Sequence, residues 1–142
     1  MLPVGDPRLA ETLEGRGHPM AVLFVDDDPD MRTMYGARLL ADGFDVRFAA
    51  DGLEALDAAT RPVDLVLLDV RMPGMDGLEV LRRLKREACM AGVPVVMLSN
   101  DDEEASVQRA RAMGAVAWWT KLDVVPAELS RRIGDLLGCP TA

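Results

Sequence analysis

The chain has 142 residues, enough for one domain with a full hydrophobic core. A formal net charge of −8 leaves no basic excess to neutralise phosphates, which argues against a general binder of nucleic acid or of anionic membrane surfaces. One histidine, His18, and two cysteines without a CxxC pair, Cys89 and Cys139, argue against a histidine-based metal site or a Ser-His-Asp triad.

The lead-in from Met1 to Pro19 carries Pro3, Pro7, Gly15, Gly17 and Pro19 and has little periodicity beyond Leu9 and Leu13. Residues 1–19 therefore read as a flexible tail and 20–142 as the folded domain. The start lacks the basic and apolar regions of a signal peptide, and no apolar run is long enough to span a bilayer. A cytoplasmic location with reduced cysteines is the expectation.

From Ala21 onward, strand and helix patterns alternate five times. A strand is predicted at Val22–Val25, inside the apolar run Ala21-Val22-Leu23-Phe24-Val25, and Asp26-Asp27-Asp28 follow it. Asp28 before Pro29 is a good N-cap with Pro at N1. The helix from Pro29 to Leu40 places Met31, Tyr35 and Leu39 on one face, with Met34 beside them. A strand at Phe44–Ala49 and a helix from about Gly52 to Ala59 come next. The run into Leu65–Asp69 is a strand buried on both faces, closed by a Pro-Gly turn, and a helix from Gly77 to about Cys89 follows. The last units are a strand at Pro94–Leu98, a helix over roughly Asp101 to Met113, a strand at Val116–Trp119 and a helix at Pro126–Leu137. The tetrapeptide Asp-Gly-Leu-Glu occurs twice, at Asp51 and Asp76, and offers an N-cap Asp with Glu at N3 each time. Asn100-Asp101-Asp102-Glu103 is expected to cap its helix in the same way. Alternating strands and helices imply an α/β fold: a five-stranded parallel sheet with helices on both faces.

Four strand ends carry chemistry. Asp26 and Asp27 sit where a nucleotide-binding protein would place Gly, Ser or Thr, and a triple Asp repels phosphate unless a cation is bound. Carboxylates, a backbone carbonyl and water make the oxygen shell that Mg²⁺ prefers. Asp69 ends the third strand, at the sheet edge where open α/β folds place their ligand sites. Ser99 follows the fourth strand and Lys121 the fifth, and a lysine there can pair with carboxylates or a phosphoryl group. Alone, Ser99 reads as a turn serine and Lys121 as a surface lysine.

Together these positions resemble the receiver domain of bacterial two-component response regulators, over about Ala21 to Gly138. The spacings from Asp69 to Ser99 and on to Lys121 are similar to that family, as is the loop Met72-Pro73-Gly74-Met75-Asp76-Gly77. The resemblance, closest in kind to chemotaxis regulators, implies a (βα)5 flavodoxin-like sheet of order 2-1-3-4-5. It implies that Asp69 accepts a phosphoryl group from a sensor histidine kinase, a phosphotransfer protein or a small phosphodonor. Mg²⁺ would be held by Asp26, Asp27, Asp69 and the Arg71 carbonyl, with Asp27 direct and Asp26 through water. Ser99 would bond the phosphoryl group, Lys121 would pair with it, and Trp118 would be the switch aromatic beside Ser99. The output would be a protein-binding or homodimerising surface on the fourth-helix, fifth-strand and fifth-helix face. That makes the chain a phosphoacceptor signalling protein rather than an enzyme, with a downstream protein target and no direct nucleic-acid or membrane contact.

Three departures stand out. Leu122 replaces the family's Pro after the lysine; a cis non-proline bond costs about 2.5–4 kcal/mol, so a trans bond is expected. The loop Leu122-Asp123-Val124-Val125-Pro126 is about one residue longer than usual, and Asn100 is bulkier than the common small residue. The competing readings are weaker. A receiver-like module that signals without phosphorylation has only Leu122 in its favour. An aspartyl phosphatase of the haloacid dehalogenase type needs a second carboxylate where Arg71 stands, and an FMN protein would set its phosphate against three carboxylates.

Overall fold

A computed structural model describes residues 19–138. The expected tail, apart from Pro19, lies outside the described residues, as do His18 and Cys139. Strand β1 (Ala21–Val25) leads to α1 (Pro29–Ala41), β2 (Asp45–Ala49), α2 (Gly52–Ala58), β3 (Leu65–Asp69) and α3 (Gly77–Leu84). Then come β4 (Val95–Ser99), α4 (Glu104–Ala112), β5 (Ala117–Thr120) and α5 (Pro126–Leu136), with single 3-10 turns at Ala88–Met90 and Lys121–Asp123. All strand pairs are parallel and the order is β2-β1-β3-β4-β5, as expected.

Every residue of β1, β3 and β4 is buried, and side-chain alternation divides them between two cores. Leu23, Val25, Val66, Leu68, Val95 and Met97 face a core shared with α2 and α3. Val22, Phe24, Leu65, Leu67, Val96 and Leu98 face one shared with Tyr35 and Leu39 of α1 and Leu129 and Ile133 of α5. Each such side chain contributes about 1.5–3 kcal/mol of hydrophobic stabilisation. Both faces being covered is why these strands read as unbroken apolar runs. A buried polar tie joins α1 to α5: Asp42, 1% exposed, accepts from Ser130 Oγ and from Arg38 Nε at 2.9 Å.

The helix starts bear out three of the expected caps and correct the fourth. Asp51 Oδ1 accepts from Glu54 N at 2.8 Å and Asp76 Oδ1 from Glu79 N at 3.0 Å. Asp28 accepts from Asp30 N at 2.9 Å, as expected. The fourth helix begins at Glu104, three residues beyond the expected start, and its N-cap, Glu103, makes no side-chain capping bond. The Asp101 carboxylate is drawn instead to Arg71. The third helix stops at Leu84 rather than near Cys89, because the chain turns back to bury Met90 in the core, leaving Cys89 exposed. Met34, expected beside the buried face of α1, is 43% exposed.

The repeated tetrapeptide does more than cap. Gly77 N donates to the Val70 carbonyl at 2.7 Å, and a Cβ at Gly77 would lie 2.2 Å from the Asp69 carbonyl oxygen. Only glycine lets the start of α3 approach the end of β3 this closely. The register Val25↔Leu68, Asp69↔Leu98 and Ser99↔Thr120 then sets the ends of β1, β3, β4 and β5 along one edge.

Candidate functional site

On that edge Asp26, Asp27 and Asp69 each bring a carboxylate oxygen within 4.8 Å of the others. Asp26 is fully buried and Asp69 nearly so, whereas Asp27 is exposed. Asp26 is held by its own loop and by the far strand. Its Oδ1 accepts from Asp28 N at 2.9 Å, and its Oδ2 from Lys121 Nζ at 2.9 Å. Lys121 Nζ also lies 3.5 Å from Asp69 Oδ1. Arg32, which the sequence reading did not single out, donates from Nη1 to the Asp26 carbonyl at 2.5 Å. No spacing pattern marks it, since the bond depends on how α1 leaves the loop.

Burial, reinforced by Asp26, pushes the Asp69 carboxyl up to about 7, with Lys121 pulling it down and Asp27 adding a smaller push upward. Burial pulls the Lys121 ammonium down, but Asp26 and Asp69 outweigh it and hold the lysine above its ordinary value. When all are ionised, three carboxylates face one ammonium. The donors are hard oxygens and one of the three carboxylates is open to solvent, a set that fits a small divalent cation.

The other expected positions form a second group. Ser99, 1% exposed, ends β4, and its Oγ accepts from Asp101 N at 3.3 Å. Trp118 of β5 is half-buried against the core shared with α2 and α3, and its indole N–H donates to the Asp101 carbonyl at 2.9 Å. Arg71 pairs through its side chain with Asp101, Nη2 to Oδ2 at 2.9 Å and Nε to Oδ2 at 3.0 Å. Asp101 thus joins Ser99, Trp118 and Arg71. The four acid and lysine positions meet, whereas Ser99 and Trp118 are held by the loop after β4. All peptide bonds among the described residues are trans, including Lys121–Leu122.

The sequence between residues 22 and 133 matches the family model described as the response regulator receiver domain. The alkaline phosphatase synthesis transcriptional regulatory protein PhoP of Bacillus subtilis is 37% identical over 82% of this chain and 48% of its own length. Sporulation initiation phosphotransferase F of the same organism is 36% identical over 70% of this chain and 80% of its own length. The chain spans about half the length of several of the curated relatives it matches. Among solved structures, the chemotaxis response regulator CheY4 of Vibrio cholerae superposes with a TM-score of 0.77 at 31% identity, covering 83% of this chain and 98% of that one. The CheX–CheY–BeF3–Mg²⁺ complex from Borrelia burgdorferi gives a TM-score of 0.75 at 27% identity, covering 87% of this chain and 92% of that one. Among the described residues, no helix is long and apolar enough to cross a membrane. The match spans all five strands and the strand-end acids alike, and the chain belongs to the receiver-domain family of two-component response regulators, a family of signalling proteins.

Proposed function

We propose that Asp69 is the phosphoacceptor, taking a phosphoryl group from a sensor histidine kinase, a phosphotransfer protein or a small phosphodonor. The observation that carries this reading is a strand-end carboxylate within reach of two further carboxylates and one ammonium. One Asp69 oxygen forms the new O–P bond as the donor's N–P or O–P bond breaks, and the electron pair leaves with the donor, which takes up a proton. Asp26, Asp27, Asp69 and the Arg71 carbonyl are the groups that would hold Mg²⁺. Bound there, the cation neutralises charge on the transferring group, which a carboxylate nucleophile otherwise repels. Lys121 adds the second positive charge, already aimed at Asp69 by its bond to Asp26. Catalysis is then mostly positioning and electrostatics.

The phosphoryl group adds charge and acceptor oxygens at the edge of the sheet. Ser99 donates to it, and its motion is felt by Trp118 because both bind Asp101. The readout is the face of α4, β5 and α5, which serves a downstream protein target or a second copy of the chain, in the cytoplasm. Phosphoramidate or acetyl phosphate with Mg²⁺ should add the mass of one phosphoryl group. Borohydride reduction should then convert Asp69, and no other residue, to homoserine. No mass gain, or homoserine at a different aspartate, overturns the assignment.

A further inference from the structure

The ammonium of Lys121 holds two contacts, 2.9 Å to Asp26 and 3.5 Å to Asp69, from a single 3-10 turn whose own backbone bond, from Val124 N to the Lys121 carbonyl, is long at 3.4 Å. Leu122, the next residue, is 86% exposed, so its side chain does little to fix the turn. Two side-chain bonds reinforce it. Thr120 Oγ1 donates to Asp123 Oδ2 at 2.6 Å and bridges the 3-10 turn across Lys121. Tyr35 reaches across from α1 and donates its hydroxyl proton to the Val124 carbonyl at 2.7 Å, with the Lys121 carbonyl at 3.4 Å. Tyr35 is 2% exposed, and its ring meets Phe24 edge-on at 6.0 Å between centroids, so the phenol has one orientation available. Val124 is 1% exposed and seated in the same core, which anchors the carbonyl that Tyr35 binds.

We propose that Tyr35 is a positioning residue for Lys121: its hydroxyl staples the lysine's turn to α1, assisted by the Thr120–Asp123 bond, and sets the reach of the ammonium to Asp26 and Asp69. The staple supplies the rigidity that Leu122 does not. A phenol on the apolar face of α1 is otherwise a wasteful core residue, because burying a hydroxyl is unfavourable unless it finds a partner. The kinetic arm of the test rests on Asp69 being the phosphoacceptor; the chemical arm does not.

Tyr35→Phe removes the hydroxyl and keeps the ring. The chain has two lysines, Lys85 and Lys121, so Lys85, bound through Nζ to the Val93 carbonyl at 3.1 Å, is an internal reference. Reductive methylation of the metal-free protein, read by peptide mass, should show Lys121 reacting about fivefold faster relative to Lys85 in the variant, the effect of one net hydrogen bond. Phosphorylation by phosphoramidate at saturating Mg²⁺ should slow about tenfold, since small misplacements of a catalytic group carry large rate costs. Thr120→Val should move both readouts in the same directions by less, and it carries the test alone if Tyr35→Phe does not fold. Equal acceleration of both lysines means general loosening and overturns the proposal. So does an unchanged lysine ratio, or a raised ratio with an unchanged phosphorylation rate. A wild-type protein that never labels sinks the phosphoacceptor reading and, with it, the catalytic purpose of the staple; the lysine ratio still decides whether the staple exists.

Discussion

Two carboxylate–cation pairs lie along the same edge of the sheet, and both close at 2.9 Å. Asp26–Lys121 has side chains 0% and 7% exposed, and Asp101–Arg71 has 44% and 66%. Identical distances conceal opposite energetics. The inner pair has lost its water, and its attraction only offsets that loss, but removing one partner strands a buried charge. The outer pair keeps its water and contributes about 0–1 kcal/mol. The inner pair can therefore hold a charged group in a fixed place for chemistry. The outer pair can open and close at little cost, which suits a cover over the mouth of the site.

The comparison breaks most visibly at Asp69. Asp69→Asn should abolish labelling by phosphoramidate and Mg²⁺ in an intact-mass measurement. It should also raise the melting temperature of the metal-free protein, because Asn relieves burial of a charge beside Asp26 and Asp27. Full labelling of the variant would remove the inner cluster from the chemistry. Lys121→Met comes next. Leaving Asp26 buried and unpaired should cost about 3–5 kcal/mol in denaturant unfolding, and labelling should slow by about 10²-fold as one stabilising donor is lost. A loss below 1 kcal/mol would mean that the inner pair behaves like the outer one.

The inner group was legible in the sequence because each of its members ends a strand or begins the loop after one. Asp26, Asp27, Asp69 and Lys121 are found by counting from apolar runs, as is Ser99 of the second group, and parallel register does the rest. Arg71 and Asp101 stand two residues beyond Asp69 and Ser99, a spacing that already suggests an ion pair between them, and the pair forms where the loops after β3 and β4 meet in space. Other tertiary choices were not legible. Tyr35 looked like a core residue of α1, and it is one, but its hydroxyl partner lies across the fold on the loop after β5. Asp42 gives no sign in the sequence of being buried, since Ser130, which satisfies it, is far along the chain. Helix ends failed where side chains had a better partner or a better place to bury: Asp101 on Arg71, and Met90 in the core.

A third variant probes the boundary between the two regions. Asp27 belongs to the inner cluster by distance and to the outer rim by exposure. Saturating Mg²⁺ at about a hundred times its dissociation constant should stabilise the wild-type protein by about 2.7 kcal/mol. Asp27→Ala should lose most of that gain, seen as a smaller shift in melting temperature. Without metal the variant should be as stable as wild type or more so, because an exposed charge next to like charges is removed. A clearly destabilised apo variant would show that Asp27 is a structural member of the cluster rather than a spare ligand.

The smallest effect on stability should come from the outer pair, and its value lies in separating stability from lifetime. Replacing both Arg71 and Asp101 by Ala should change the unfolding free energy by less than about 1 kcal/mol, as for other exposed ion pairs. The backbone bonds of Asp101 to Ser99 and Trp118 do not depend on its carboxylate, so the loop keeps its seat. The rate of self-dephosphorylation should nonetheless rise if the pair, which joins the loops after β3 and β4 two residues beyond Asp69 and Ser99, shields a phosphoryl group carried by Asp69. Phosphate release after removal of the donor measures that rate directly. A rate that rises while the melting temperature stays put makes the outer pair a cover. An unchanged or slower rate places control of the lifetime with the buried cluster, and then the two pairs differ in energetics without dividing the work.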